Sequence, residues 1–212
     1  MSPRPIRVTS AVLLAVVVAA CTASTKFKGT WKAPDAAPLS VKPGDLVIAM
    51  VISKEETTRR TGEDMLAEEL RQRGLRPISS FTFLPTDQVG DQEKAAAAIK
   101  ETGAVALFAL RPIAVSKEQT YVPPMYTGPG PYGGMGPYYG YGWSSAYTPG
   151  YVVTDTVVRV ETAVFDLRQD KLLWVGQSET TNPERLDLLM RDLVKAAGAE
   201  MRRVGVIAPP AS

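Results

Sequence analysis

The sequence contains no histidine and a single cysteine, Cys21. The missing imidazole removes the commonest general base and the commonest metal ligand at neutral pH. One cysteine excludes an intrachain disulfide and any multi-thiolate metal site. Ser/His/Asp and Cys/His catalysis are excluded with them, and zinc and iron lack their usual ligands. No cofactor and no metal are therefore expected. An excess of charge is missing too: 24 Lys and Arg stand against 22 Asp and Glu. No basic cluster appears, so nucleic acid is not an expected partner. A mean hydropathy of −0.04 excludes a polytopic membrane protein. What is present, 212 residues with 45% hydrophobic and 22% charged, suits one domain.

Residues 1–7 carry Arg4 and Arg7 and no acid, and residues 11–20 are an unbroken run of Ala, Val and Leu. A basic start and a short apolar core describe an export signal over residues 1–20. The run falls short of the roughly 20 residues that span a bilayer. Pro5 and Ile6 separate the arginines, so the pattern is not twin-arginine. Val18-Ala19-Ala20-Cys21 then resembles the lipobox of bacterial lipoproteins. That resemblance implies cleavage before Cys21, a lipid on its sulfur and an acyl chain such as palmitate on its new amine. The alternative is a free cysteine beside an ordinary cleavage site. Several acyl chains, at about 0.8 kcal/mol per buried methylene, would make a stable membrane anchor. Thr22, where Asp is associated with retention at the inner membrane, points to the periplasmic face of an outer membrane.

Residues 21–45 read as a lipidated N-terminus and tether, with Phe27, Trp31, Leu39 and Val41 as its larger apolar side chains. A single domain is expected over residues 46–207. Residues 46–52 (LVIAMVI) suit a strand buried on both faces. Residues 58–73 suit a helix with Thr61 as N-cap and Gly74 as a left-handed stop. Residues 75–83 have strand composition. Residues 91–102 suit a helix capped by Asp91 and stopped by Gly103. Residues 104–110 (AVALFAL) are another buried strand, continuing towards Thr120. This β-α-β-α-β order argues for a partly parallel sheet covered by helices. Residues 152–167 and 172–179 alternate as a long hairpin around the polar turn 168–171. Asn182 and Pro183 suit the start of a last helix, along which Leu186, Leu189, Met190, Leu193, Val194, Ala197 and Met201 form a core stripe. The fold class is α/β (α+β): a mixed sheet, a hairpin and a C-terminal helix in one domain.

Residues 121–151 interrupt this pattern. They hold all eight tyrosines, eight of the 17 glycines, six of the 17 prolines and Trp143, with no charge. Such a stretch lacks the aliphatic side chains that build a core. It lies between two strands, as an insertion at one end of the sheet. No helix follows its glycines and no Lys-Ser/Thr follows, so it is not a phosphate loop. It reads either as a low-complexity spacer or as an adhesive surface made by Tyr126, Tyr132, Tyr138, Tyr139, Tyr141, Trp143 and Tyr147. Tyrosine and tryptophan give large amphipathic contact area at low entropy cost. Sugar rings of an envelope polysaccharide, lipid headgroups and protein grooves all fit that chemistry.

Paired carboxylates could still support glycosidic acid–base chemistry. The candidates are Glu63/Asp64, Glu68/Glu69, Glu161, Asp166 and Glu179. Those of the first helix mix with Arg59, Arg60, Arg71 and Arg73, which reads as a solvated, ion-paired face. No catalytic residue is assigned and no enzyme is expected.

The lipobox, the order of elements and several local strings together resemble a family of bacterial envelope lipoproteins without an assigned activity. The strings are residues 46–52, Glu63-Asp64-Met65-Leu66, Gly103-Ala104-Val105, Glu161-Thr162-Ala163-Val164-Phe165-Asp166 and Leu172-Leu173-Trp174. More distantly, the element order is similar to the periplasmic domains of curli-secretion lipoproteins and the amino-terminal domain of TolB. The resemblance implies a non-enzymatic binding or scaffolding role in the envelope, with an envelope protein or polysaccharide as partner. A subunit of an oligomeric secretion or export assembly is the alternative, and a carbohydrate-active enzyme comes third. Oligomeric state is left open.

Overall fold

The computed structural model describes residues 24–123, 135–136, 139 and 150–207. Its strands are β1 (Ser24–Lys32), β2 (Leu46–Val51), β3 (Arg76–Ser79), β4 (Ala106–Val122), β5 (Tyr151–Asp166) and β6 (Lys171–Thr181). Its helices are α1 (Glu56–Arg71), α2 (Gln92–Glu101) and α3 (Leu186–Arg203), with a 3-10 turn at Ser80–Thr82. The strands form one sheet in the order β1-β6-β5-β4-β2-β3. β2 runs parallel to β3 and β4, and all other neighbours are antiparallel. This is the mixed α/β fold that the alternation of elements implies.

The apolar run of β2 follows from burial on both sides. Val47 and Ala49 face a core shared with α1 and α3, where Leu66, Leu70, Leu193 and Met201 meet. Ile48 faces the other side, where Ile99 of α2 packs with Leu107. Asp91 caps α2 by accepting from the Lys94 amide at 3.1 Å. Gly74 and Gly103 take positive φ after α1 and α2, as stops require. The α3 stripe is buried from Leu189 to Met201, while Leu186 is half-exposed.

Four expectations need correction. The tether reading fails from Ser24 onward: β1 pairs with β6 along its length, and Ala33 and Leu39 are buried. Lys26 and Lys28 on this strand are the solvent-facing charges that protect a sheet edge. Thr61 lies inside α1, which begins at Glu56 after Glu55 without a side-chain cap. The third strand stops at Ser79, because Ser80 and Phe81 turn inward to a buried carboxylate. Asn182 is no N-cap; its φ is +49° and its Oδ1 accepts from the Thr156 amide at 2.8 Å.

β4 and β5 stay paired from Ala106–Asp166 out to Val122–Tyr151. Their neighbours are shorter. β2 accompanies β4 only to Leu110, and β6 accompanies β5 only from Val157. Beyond those rungs the two strands continue as a two-stranded arm that carries the Tyr/Gly/Pro insertion.

Trp174 is fully buried and meets Phe27 of β1 edge-on at 5.3 Å, which fastens the edge strand to the core. The contact needs Gly176: a Cβ there would lie 2.5 Å from the Trp174 ring and 2.7 Å from Phe27. Gly176→Ala is expected to destabilise the fold by about 1–3 kcal/mol through overpacking. Urea unfolding checks this, and a midpoint equal to wild type would refute the tight packing of β1.

Candidate binding surface

Cys21, Tyr126, Tyr132, Tyr138, Tyr141, Trp143 and Tyr147 lie outside the described residues. Tyr139 is described and is 62% exposed. Among the described residues no group of His, Cys, Asp and Glu could hold a metal ion, and no helix is long and apolar enough to cross a membrane.

Glu63 is not on a solvated face. It and Arg59, one turn apart on α1, are both fully buried and bond at 3.1 Å. Glu63 Oε1 also accepts from Ser80 Oγ at 2.6 Å and the Val51 amide at 3.2 Å, and Oε2 from the Phe81 amide at 2.7 Å. Arg59 donates onward to Leu84 O at 2.7 Å, Ser80 Oγ at 3.1 Å and Thr86 Oγ1 at 3.2 Å. Every part of the pair is engaged in holding α1 to the ends of β2 and β3. Asp64 accepts from Ser79 Oγ, Glu69 pairs with Arg73, and Glu68 with Arg71.

The remaining carboxylate candidates sit beside cations. Glu161 receives Arg111 through two 2.9 Å bonds, which hold its carboxyl below the usual range. Glu179 is lowered by Lys28 and by Arg159, which also reaches Glu118 at 2.6 Å. Asp166, the last residue of β5, is lowered by Arg168. A general acid needs its pKa raised towards neutrality, so these groups are tuned in the opposite direction.

Alternation along β5 puts Val160, Thr162 and Val164 against α1 and α3 and turns Arg159 and Glu161 to the other face. A cavity of about 620 Å³ opens between that core face and the helices, with Leu66, Leu193 and Thr162 in its lining and Arg73 and Arg202 among its polar residues. The Thr162 hydroxyl is buried there without a protein partner among the described residues.

The apolar surface gathers elsewhere. Ile113, Val115, Tyr121, Tyr151 and Val152 are all exposed, and all belong to β4 and β5 at or near the arm. The sequence signal for this surface was the aromatic insertion; the strands that carry it are also part of it. The arm shares its end of the sheet with the chain's entry into the fold. Ser24 pairs with Thr181, Thr181 with Val157, and Val157 with Ser116. The first residue of β1 is thus level with the neck of the arm.

No family model and no curated protein matches the chain. Solved structures do. A variant of the PelC dodecamer from Paraburkholderia phytofirmans matches with a TM-score of 0.42 and 12% identity, covering 82% of this chain and 94% of that one. A second PelC dodecamer structure from the same organism gives 0.40 and 13%, over 82% and 96%. Lipoprotein GNA1162 from Neisseria meningitidis gives 0.38 and 15%, over 76% and 99%.

Replacing one partner of the buried pair strands the other charge, at a cost of about 3–5 kcal/mol. Glu63→Gln and Arg59→Met are each expected to lower the urea midpoint strongly, and the double variant to lose less than their sum. Strict additivity in that cycle would show that the pair is not coupled. Asp166 has a depressed folded pKa, so its contribution to stability is present above the ordinary Asp range near 3.9 and is lost as pH falls through the folded value. Asp166→Asn should therefore flatten the acid limb of stability measured between pH 7 and pH 3. An unchanged limb would contradict the pairing with Arg168.

Proposed function

We propose that this protein is a lipid-anchored, non-enzymatic binding or scaffolding protein of the bacterial cell envelope, held at the periplasmic face of an outer membrane. The observation that carries this reading is the position of Ser24. It begins an edge strand only three residues after Cys21, so a lipid on Cys21 would hold the folded domain directly against the membrane. The same end of the sheet presents the arm, with Tyr121 and Tyr151 exposed on it, and the chain between them carries the other six tyrosines of the contact surface proposed here. The pairing of Glu161, Asp166 and Glu179 with cations supports the non-enzymatic reading over a carbohydrate-active enzyme.

One feature favours the alternative of a subunit in an oligomeric export assembly. From Arg111 to Val122, β4 has no strand along its outer edge among the described residues. An uncovered edge of that length is a place where another chain can pair.

Cys21→Ser is expected to abolish palmitate labelling and move the protein from the membrane fraction to the soluble periplasm. Its thermal unfolding should match wild type, since Cys21 precedes the first strand. A wild-type protein whose mass shows no acyl chain on Cys21 would overturn the proposal.

A further inference from the structure

We infer that the tip of the β4–β5 arm is a second membrane contact, lying in the headgroup layer of the bilayer beside the lipid on Cys21. The inference rests on the lipid-anchored reading above and adds the partner of the arm: a lipid surface.

Geometry carries the first half. β1 runs from Ser24, level with Ser116 and Val157, to Lys32 beside Trp174, so the chain ahead of Ser24 departs at the arm's end of the sheet. Cys21 to Ser24 is three Cα steps, a reach of at most about 11 Å. From the same row, β4 continues to Val122 and β5 returns from Tyr151. Six further residues at about 3.3 Å each extend the arm by about 20 Å. The arm is longer than the tether and leaves from the same row. A bilayer holding the lipid of Cys21 is therefore within the arm's reach.

Chemistry carries the second half. The neck of the arm is charged, with Lys117, Glu118 and Asp155, whereas no charged residue occurs between Gln119 and Thr154. At the tip Tyr121 is 61%, Tyr151 59% and Val152 56% exposed. Tyr121 faces Val152 on one rung and Val122 faces Tyr151 on the next, so apolar groups point to both sides of the ribbon. A lipid layer takes up apolar groups on both sides of a tip at once. Tyrosine, with an apolar ring and a polar end, suits the membrane–water interface. The unpaired outer edge of the ribbon keeps it in the hydrated headgroup layer and out of the hydrocarbon. With no cation on the tip, its contact should be indifferent to salt and to the anionic lipid fraction.

The test uses the full-length lipidated protein reconstituted in phosphatidylethanolamine/phosphatidylglycerol vesicles. Acylated Cys21 has no free thiol, so a single new cysteine can carry an environment-sensitive fluorophore. Val152→Cys and Tyr121→Cys report on the tip, and Lys42→Cys, exposed at the opposite end of the sheet, is the control. The tip labels should brighten several-fold in vesicles and be quenched by nitroxides on lipid headgroups more than by nitroxides deep in the acyl chains. The control label should do neither. Tip labels that behave like the control while the mass shows acylated Cys21 would overturn this inference alone and assign the arm to a protein or glycan. An unmodified Cys21 would instead overturn the anchored reading and this inference with it.

Discussion

The buried Arg59–Glu63 pair closes the end of the sheet from which the arm departs. Glu63 gathers the last amide of β2 and the first groups beyond β3, while Arg59 holds the carbonyl of Leu84. Together they set the distance between α1 and the parallel strands and fix the course of the chain from Ser79 to Thr86. That placement lets Leu66 and Leu70 meet α3 over the sheet. Two charges out of water are tolerable only because each is engaged by several hydrogen bonds. The same burial and bonding make the pair a structural element, with every nitrogen of the guanidinium and both carboxylate oxygens engaged within the fold.

Charge is distributed along one direction of the molecule. Ion pairs occupy the face of β4, β5 and β6 turned away from α1 and α3, through Arg111–Glu161 and the group formed by Lys28, Glu118, Arg159 and Glu179. The last of them reaches Glu118, Asp155 accepts from the Asn182 side-chain amide, and the chain between Gln119 and Thr154 is uncharged. A solvated, salt-bridged body thus passes into a neutral, tyrosine-rich tip. Ser24, the first residue of β1, lies at the same end as that tip. That order of body and tip is what the proposed anchoring at Cys21 would use to orient the molecule on a membrane.

Most of the fold was legible in the sequence because its signals are local. The apolar runs of β2 and β4, the alternation of β5, the Asp91 cap and the stripe of α3 each declare themselves within one element. β1 was missed because its partners lie some 150 positions away, as with Ser24 and Thr181, and its lysines read as a tether. Arg59 and Glu63 were read as a surface pair because i,i+4 spacing is the same on either face of a helix; only the chain from Ser80 to Thr86 buries them. Asn182 looked like a cap because its bond to Thr156 is non-local. For the site, the aromatic content of the insertion was plain. That its carrying strands leave the sheet level with Ser24 was not, because that needs the registers of three strand pairs at once.

On the proposal made above, anchor and arm share one membrane-facing end. Amide hydrogen exchange, comparing the lipidated protein on vesicles with the Cys21→Ser protein in solution, tests it most directly. Added protection is expected at residues 119–122 and 150–154 and none at the β5–β6 turn, residues 167–170, at the far end of the sheet. Equal exchange at the arm in both forms, or protection at that turn instead, would contradict it.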